Sequence, residues 1–271
     1  MTTPGPAPKR RRMGRGSKAF RRITGSLALL FGLLTVGFAY AALSPSPQTA
    51  QAAAVDPAQI AAGQQLYNNS CITCHGANLQ GVQDRGPSLI GVGQAAAYFQ
   101  LSTGRMPAVE DPAQMNRKPP WFSAEEIDQL GAFIQANGGG PQVPQGDLRN
   151  EQQLALGGEL FRLNCASCHN FTGQGGALSQ GKYAPNLDEA TDSQIYAAMQ
   201  SGPENMPKFS EAQLTSSEKR AIISFVQNNK ATIDPGGLPL GGFGPAPEGL
   251  IAFLVGMGAI VAITLWMGSR A

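Results

Sequence analysis

"SCITCHGAN" spans Ser70–Asn78 and "NCASCHNF" spans Asn164–Phe171. The chain has four cysteines and two histidines, and these stretches take all of them as two copies of Cys-x-x-Cys-His. Two thiols at that spacing, with an imidazole directly after the second, form the attachment pattern of c-type haem. The thiols add to the haem vinyl groups and the histidine is directed at the iron. A disulfide or thioredoxin-like pair leaves the histidine after each second cysteine without a role. A zinc site would have to pool ligands from two blocks that read as separate folding units. The motifs therefore predict two covalent haem c groups, held by Cys71 and Cys74 and by Cys165 and Cys168, with His75 and His169 as axial ligands.

Outward from the motifs the chain repeats itself. "GQQLYNNSCITCH" (63–75) aligns with "GGELFRLNCASCH" (157–169), and "GPSLIGV" (86–92) with "APNLDEA" (184–190). "YFQLSTGRMP" (98–107) aligns with "YAAMQSGPENMP" (196–207), and "SAEEIDQLGAFIQAN" (123–137) with "TSSEKRAIISFVQNN" (215–229). Each block, 56–137 and 151–230, predicts the same mainly α plan: a helix into the motif, an irregular stretch, a short helix, a Met-Pro turn and a closing amphipathic helix. That last helix opens on Ser or Thr with acids in its first turn, as a helix N-terminus prefers. Ile127, Leu130, Phe133 and Ile134 form its apolar face in the first block, and Ile222, Phe225 and Val226 do so in the second. The insertion 108–122, "AVEDPAQMNRKPPWF", has no counterpart; its exposed-looking Trp121 and Phe122 read as an interface or as a cover for the first haem.

With only His75 and His169 in the chain, a sixth ligand must come from another residue type. Met106 and Met206 each precede a proline and follow a glycine-bearing turn, so they are the candidate second axial ligands. Met199 aligns with Leu101 and reads as core, and Met115 has no counterpart. His/Met ligation raises a haem's potential and fills the site a substrate would need. It points to one-electron transfer rather than to peroxide or oxygen chemistry, for which a spare acid/base histidine is lacking. Pro87 and Pro185 either brace the haem on the histidine side or simply form turns.

Residues 1–22 hold eight basic residues and no acid, while all eighteen acids lie between Asp56 and Glu248 among eleven Lys and Arg. Nothing in that acidic middle suits nucleic acid. It suits a basic partner face or plain solubility. Two uncharged runs, 23–43 and 249–268, each match the ~20 residues of a bilayer-crossing helix. The first is a transmembrane helix (a signal anchor that is not cut) or else the core of a cleaved signal. The basic head 1–22 places both termini in the cytoplasm and 44–248 outside. Linkers without apolar periodicity fall at 44–55, 138–150 and 231–248, the last reading "ATIDPGGLPLGGFGPAPE".

Each block resembles a class I cytochrome c domain, together about 60% of the chain. The whole arrangement resembles the dihaem cytochrome c subunit of the actinobacterial cytochrome bcc complex, a menaquinol–cytochrome c reductase. The features that carry the likeness are the basic head, a span, two CxxCH domains, and a second span preceded by "GGFGPAPEG". The resemblance implies two tandem class I cytochrome c domains on the extracytoplasmic side of the cell membrane, flanked by an N-terminal and a C-terminal transmembrane helix. It implies a multi-pass subunit that works with a cytochrome b subunit and a Rieske iron–sulfur subunit and passes electrons to an aa3-type oxidase. Such a chain shares in a quinol–cytochrome c reductase, a translocase, without turnover of its own. The dihaem subunit of a cbb3-type oxidase usually has only the N-terminal anchor. Cytochrome subunits of periplasmic dehydrogenases often carry three haems.

Overall fold

The computed structural model describes residues 18–43, 56–110, 112–231, 240 and 245–270. The basic head up to residue 17, the 44–55 linker and most of the 231–248 linker lie outside the described residues. The chain divides into two units, residues 1–49 and 50–271.

The first unit holds helix α1 (Lys18–Leu43). Leu27, Leu30, Phe31, Leu34 and Phe38 on it are all exposed, so the apolar surface is not covered by protein. Its Arg22–Tyr40 stretch, 19 residues, is long and apolar enough to cross a bilayer.

In the second unit, α2 (Pro57–Ser70), α3 (Ile72–His75), α4 (Gly93–Ser102) and α5 (Ala124–Gly138) form one domain. The plan recurs in α6 (Leu154–Asn164), α7 (Ala166–His169), α8 (Asp192–Ser201) and α9 (Ser216–Ala231). Among the described residues the β-structure is one antiparallel pair, β1 (Gly176–Ala177) with β2 (Tyr183–Ala184), in register Gly176↔Ala184, and a single bridge between Val82 and Gly86. Helix α10 (Pro245–Gly268) closes the described chain, and its Ala246–Gly268 stretch, 23 residues, is again long and apolar enough to span a bilayer. Proline can occupy its first turn because the first helical N–H groups need no partner within the helix.

The helix starts follow from local chemistry. The Asp56 carboxylate accepts the Ala58 N–H at 2.9 Å, with Pro57 as the first helical residue of α2. Ser123 and Glu126 exchange hydrogen bonds across the start of α5, as Thr191 and Gln194 do for α8 and Thr215 and Glu218 for α9. Each such cap contributes about 1 kcal/mol.

Within each domain the first helix crosses the last: α2 on α5, α6 on α9. Gly63 and Gly157 sit at these crossings. A Cβ on Gly63 would lie 2.6 Å from the backbone carbonyl carbon of Gln129, and one on Gly157 2.5 Å from that of Ala221. Only glycine lets the helices approach so closely. The cores follow from the crossings. Tyr67, Leu79, Leu130, Phe133 and Ile134 fill the first, and Phe161, Tyr196, Met199, Ile222 and Ile223 the second. Phe225, expected on the apolar face of α9, is only partly buried, and Ile223 lies in the core as well.

The domains meet through α4 and α8. Ala95 and Phe99 pack on Ala197 and Ala198, small side chains that permit close contact. The unmatched insertion reaches across as a polar strap. Gln114 donates to the Tyr183 carbonyl at 2.7 Å and accepts the Tyr183 N–H at 2.9 Å. Met115 N–H donates to Glu204 at 2.9 Å, and the Tyr183 hydroxyl donates to Asn116 at 2.6 Å. Arg117 donates to Gln194 at 3.1 Å and pairs with Glu189 at 3.1 Å. The two aromatics at the insertion's end part company. Trp121 is 80% exposed, whereas Phe122, expected beside it on the surface, is 8% exposed and packs in the first core.

Candidate haem sites

In both domains the motif is one helical turn. Cys74 N–H bonds the Cys71 carbonyl at 3.1 Å and His75 N–H bonds it at 2.9 Å; Cys168 and His169 repeat this on the Cys165 carbonyl at 3.1 and 2.9 Å. Residues three and four apart share a helix face. This geometry turns both thiols and the imidazole to one side. The turn stops at Gly76 (φ +76°) and Asn170 (φ +65°), positive-φ positions with extended ψ that suit glycine far better than asparagine. In the first domain the Tyr67 hydroxyl anchors this stop by donating to the Gly76 carbonyl at 2.7 Å. Burial, then the neighbouring Cys71, pushes that phenol up to about 12, so it stays a donor.

The histidines are oriented from behind. Nδ1 of His75 lies 2.8 Å from the Pro87 carbonyl oxygen, and Nδ1 of His169 lies 3.0 Å from that of Pro185. A carbonyl only accepts, so Nδ1 carries the proton and Nε2 keeps its lone pair, the form that ligates a metal. Burial pushes His169 below its ordinary pKa against the opposing pull of the Pro185 bond, which keeps that imidazole neutral. Burial, then the paired thiol, pushes Cys71 up to about 11 and Cys165 up to about 12. Until haem is attached, both are neutral thiols at physiological pH.

Each motif opens on its own cavity. The first, about 790 Å³, is lined by Cys71, Cys74, His75, Pro87, Leu101 and Met106. The second, about 260 Å³, is lined by Cys165, Cys168, His169, Pro185, Met206 and the apolar wall of Phe161, Leu187, Ile195 and Ile222. The structure thus brings each candidate methionine to the cavity of its own motif, and the two Cys/His triplets stay apart. Each cavity also meets a second thioether: Met115 from the insertion in the first, and Met199 from the core in the second. Phe99 and Arg105 of the first domain reach the second cavity, a feature that repeat alignment cannot reveal. A thiol pair, an imidazole with Nε2 available and a thioether on one concave surface fit a covalently attached haem c.

Comparison with known proteins agrees. Residues 60–137 match the family model described as cytochrome c. Residues 152–226 match the one described as cytochrome c oxidase, cbb3-type, subunit III. The chain is 53% identical over 257 residues to a Mycobacterium tuberculosis protein named cytochrome bc1 complex cytochrome c subunit, covering 92% of both chains. Identically named proteins are 54% identical in Mycobacterium leprae, over 90% of this chain and 87% of that one, and 49% identical in Corynebacterium efficiens, over 93% and 91%. A membrane-anchored, haem-bearing cytochrome c of electron transport follows from these matches and the two apolar helices. With about half of its residues identical to theirs along nine-tenths of its length, the chain belongs to the family of cytochrome c subunits of the cytochrome bc1 complex.

Proposed function

We propose that the chain is the dihaem electron relay of a quinol–cytochrome c reductase. It takes single electrons from a Rieske iron–sulfur protein and delivers them to an aa3-type oxidase. The observation that carries this reading is the pair of cavities, each with two thiols, one imidazole and a thioether, in domains packed directly on one another. A haem c iron supplies reversible one-electron transfer, at raised potential when His and Met are its ligands.

The chain's own residues hold and shield that group. Cys71, Cys74, Cys165 and Cys168 supply the thiols for covalent attachment. His75 and His169, fixed by the Pro87 and Pro185 carbonyls, would hold the iron through Nε2, and Met106 and Met206 would supply a thioether ligand to it. Met199 is a core residue, and Met115, held through its N–H by Glu204, belongs to the strap. The apolar wall of the second cavity, Phe161, Leu187, Ile195 and Ile222, excludes water from it. No further histidine exists to serve as an acid/base partner for peroxide. The basic head keeps both termini cytoplasmic and both haem domains outside the cell membrane. The cytochrome b and Rieske subunits of the same complex are the immediate neighbours, consistent with the names of the relatives. The chain has no turnover of its own.

A second reading, the dihaem subunit of a cbb3-type oxidase, draws on the match over 152–226. The second apolar helix, Ala246–Gly268, argues against it. The two readings separate on affinity purification from native membranes in mild detergent. Recovery of a cytochrome b, a Rieske protein and an aa3 oxidase, with quinol-driven oxygen uptake, supports the relay. A cbb3 core in their place refutes it.

A further inference from the structure

Arg105 belongs to the first domain and lines the cavity of the second. It is 6% exposed, and its Nη1 is buried without a hydrogen-bond partner among the described residues. Its guanidinium lies 5.0 Å from the centre of the Phe99 ring, which fixes its direction. The other polar groups around that cavity are engaged. Arg117 is committed to Glu189 and Gln194, Lys182 to Asn205 at 3.2 Å, Tyr183 to Asn116 and Gln114, and Glu204 to the Met115 N–H. No carboxylate among the described residues forms an ion pair with Arg105. Glu204 acts on Arg105 by charge without an ion-pair contact, and burial still outweighs it, so a further anion beside this buried cation is strongly favoured. A haem brings two carboxylate side chains, and a guanidinium fork is the donor best shaped to receive one.

We infer that Arg105 is a positioning residue for the second haem: extending from the first domain, it receives a haem carboxylate in the second cavity and holds that haem's potential up. This rests on reading the second cavity as a haem site. A cation near the iron favours the ferrous state, which carries one positive charge fewer, so its loss lowers the potential. Met106, the next residue along the chain, lines the first cavity. One dipeptide therefore touches both sites and ties the setting of the second haem to the seating of the first domain.

The test is an optical redox titration of the full haem-bearing chain in detergent, comparing wild type, Arg105→Gln and Arg105→Lys. Met206→His marks which component belongs to the second site. Arg105→Gln is expected to raise the ferric-to-ferrous ratio of the second haem about tenfold at the wild-type midpoint, a downward shift of about 59 mV for a one-electron couple. The first haem should move less than a third as far. Arg105→Lys, which keeps the charge, should stay within about threefold of wild type. It should also alter the haem-carboxylate bending band in the resonance Raman spectrum, a readout that stands if the Gln variant does not assemble. An unmoved second potential, equal shifts in both haems, or an unchanged Raman band in the Lys variant overturns the inference. Intact mass of the wild-type chain is measured first. A single haem would remove the reading of the second cavity itself, a failure distinct from that of Arg105.

Discussion

Replacing Gly157 with alanine puts a methyl group into the tightest point of the second domain. The new Cβ would sit 2.5 Å from the Ala221 carbonyl carbon and 3.2 Å from the Ile222 nitrogen, where ordinary contact begins at 3.4 Å. Both obstacles are backbone, so no side chain can swing aside. Helices α6 and α9 must separate by more than 0.9 Å, the shortfall from 2.5 to 3.4 Å at that carbon, because the Ala221 carbonyl oxygen lies closer still. That opening also loosens the Phe161–Phe225 pair, whose rings are 5.3 Å apart. Alanine's better helix propensity returns about 1 kcal/mol. Overpacking costs about 1–3 kcal/mol, and a disturbed aromatic pair roughly another 0.5–1.5 kcal/mol. The net is a loss of about 2 kcal/mol, or a fall in the lowest melting transition of about 10 °C for a domain near 80 residues. The assay is thermal unfolding of the haem-bearing chain followed by far-ultraviolet circular dichroism and Soret absorption. Gly63→Ala should do the same to the first domain. Gly131→Ala is the control, because its Cβ meets only the flexible Gln94 side chain, at 3.0 Å. It should be neutral or slightly stabilising. A Gly157→Ala chain that melts at or above wild type refutes the idea that the crossing needs glycine.

Met206→His should lower the second haem's potential by on the order of 0.1 V, within the ~0.8 V that axial ligation spans, and leave the first nearly untouched in redox titration. Tyr67→Phe leaves the buried Gly76 carbonyl with only the long Leu79 N–H contact at 3.4 Å and should cost about 1 kcal/mol in denaturant unfolding. The ring itself should fit, since Phe161 stands at the aligned position of the second domain. Glu211 pairs with Lys219, whose side chain is 1% exposed, at 2.9 Å. Burial alone would raise the Glu211 carboxyl, but the hydrogen bond and charge of Lys219, with help from Ser216, hold it below its ordinary range. A depressed carboxyl stabilises the fold above the unfolded value of ~4.3 and loses that contribution as pH falls through the folded value. Glu211→Gln should therefore cost about 1–2 kcal/mol at pH 7, between the surface and buried limits for ion pairs. It should converge on wild type in melts once the pH has fallen below that carboxyl's folded value; a gap that persists there would count against the pair.

Much of this architecture is written locally. Cys-x-x-Cys-His is a helical turn by its own spacing, the Ser123 and Thr215 caps announce themselves through the glutamate three residues on, and the apolar runs need only be counted. Local patterns did not reveal what depends on the partner domain. Phe122 sits in a proline-rich stretch with no periodicity to mark its inward turn, and only the folded first core shows where it goes. The strap at 114–117 is polar and unpatterned, and its partners lie 67 or more residues away. Arg105 reads as a turn residue before Met106, because nothing along the chain tells which cavity its side chain enters. The last helix begins at Pro245 rather than 249, since prolines that would break a helix interior are harmless in its first turn.

The alanine contact between α4 and α8 has a kinetic corollary. On the proposed relay reading, both haem domains belong to one chain and pack on one another, so exchange between the two irons is first-order. Its rate does not depend on dilution, and among the described residues Arg117–Glu189 is the one ion pair across the seam for salt to screen. On the same reading, encounters of the acidic region with a basic partner face would be charge-steered, and would weaken beyond a Debye length of ~8 Å at physiological ionic strength. Flux that falls as salt rises would thus report on docking at either end of the relay, and flux indifferent to salt would report on the step inside it.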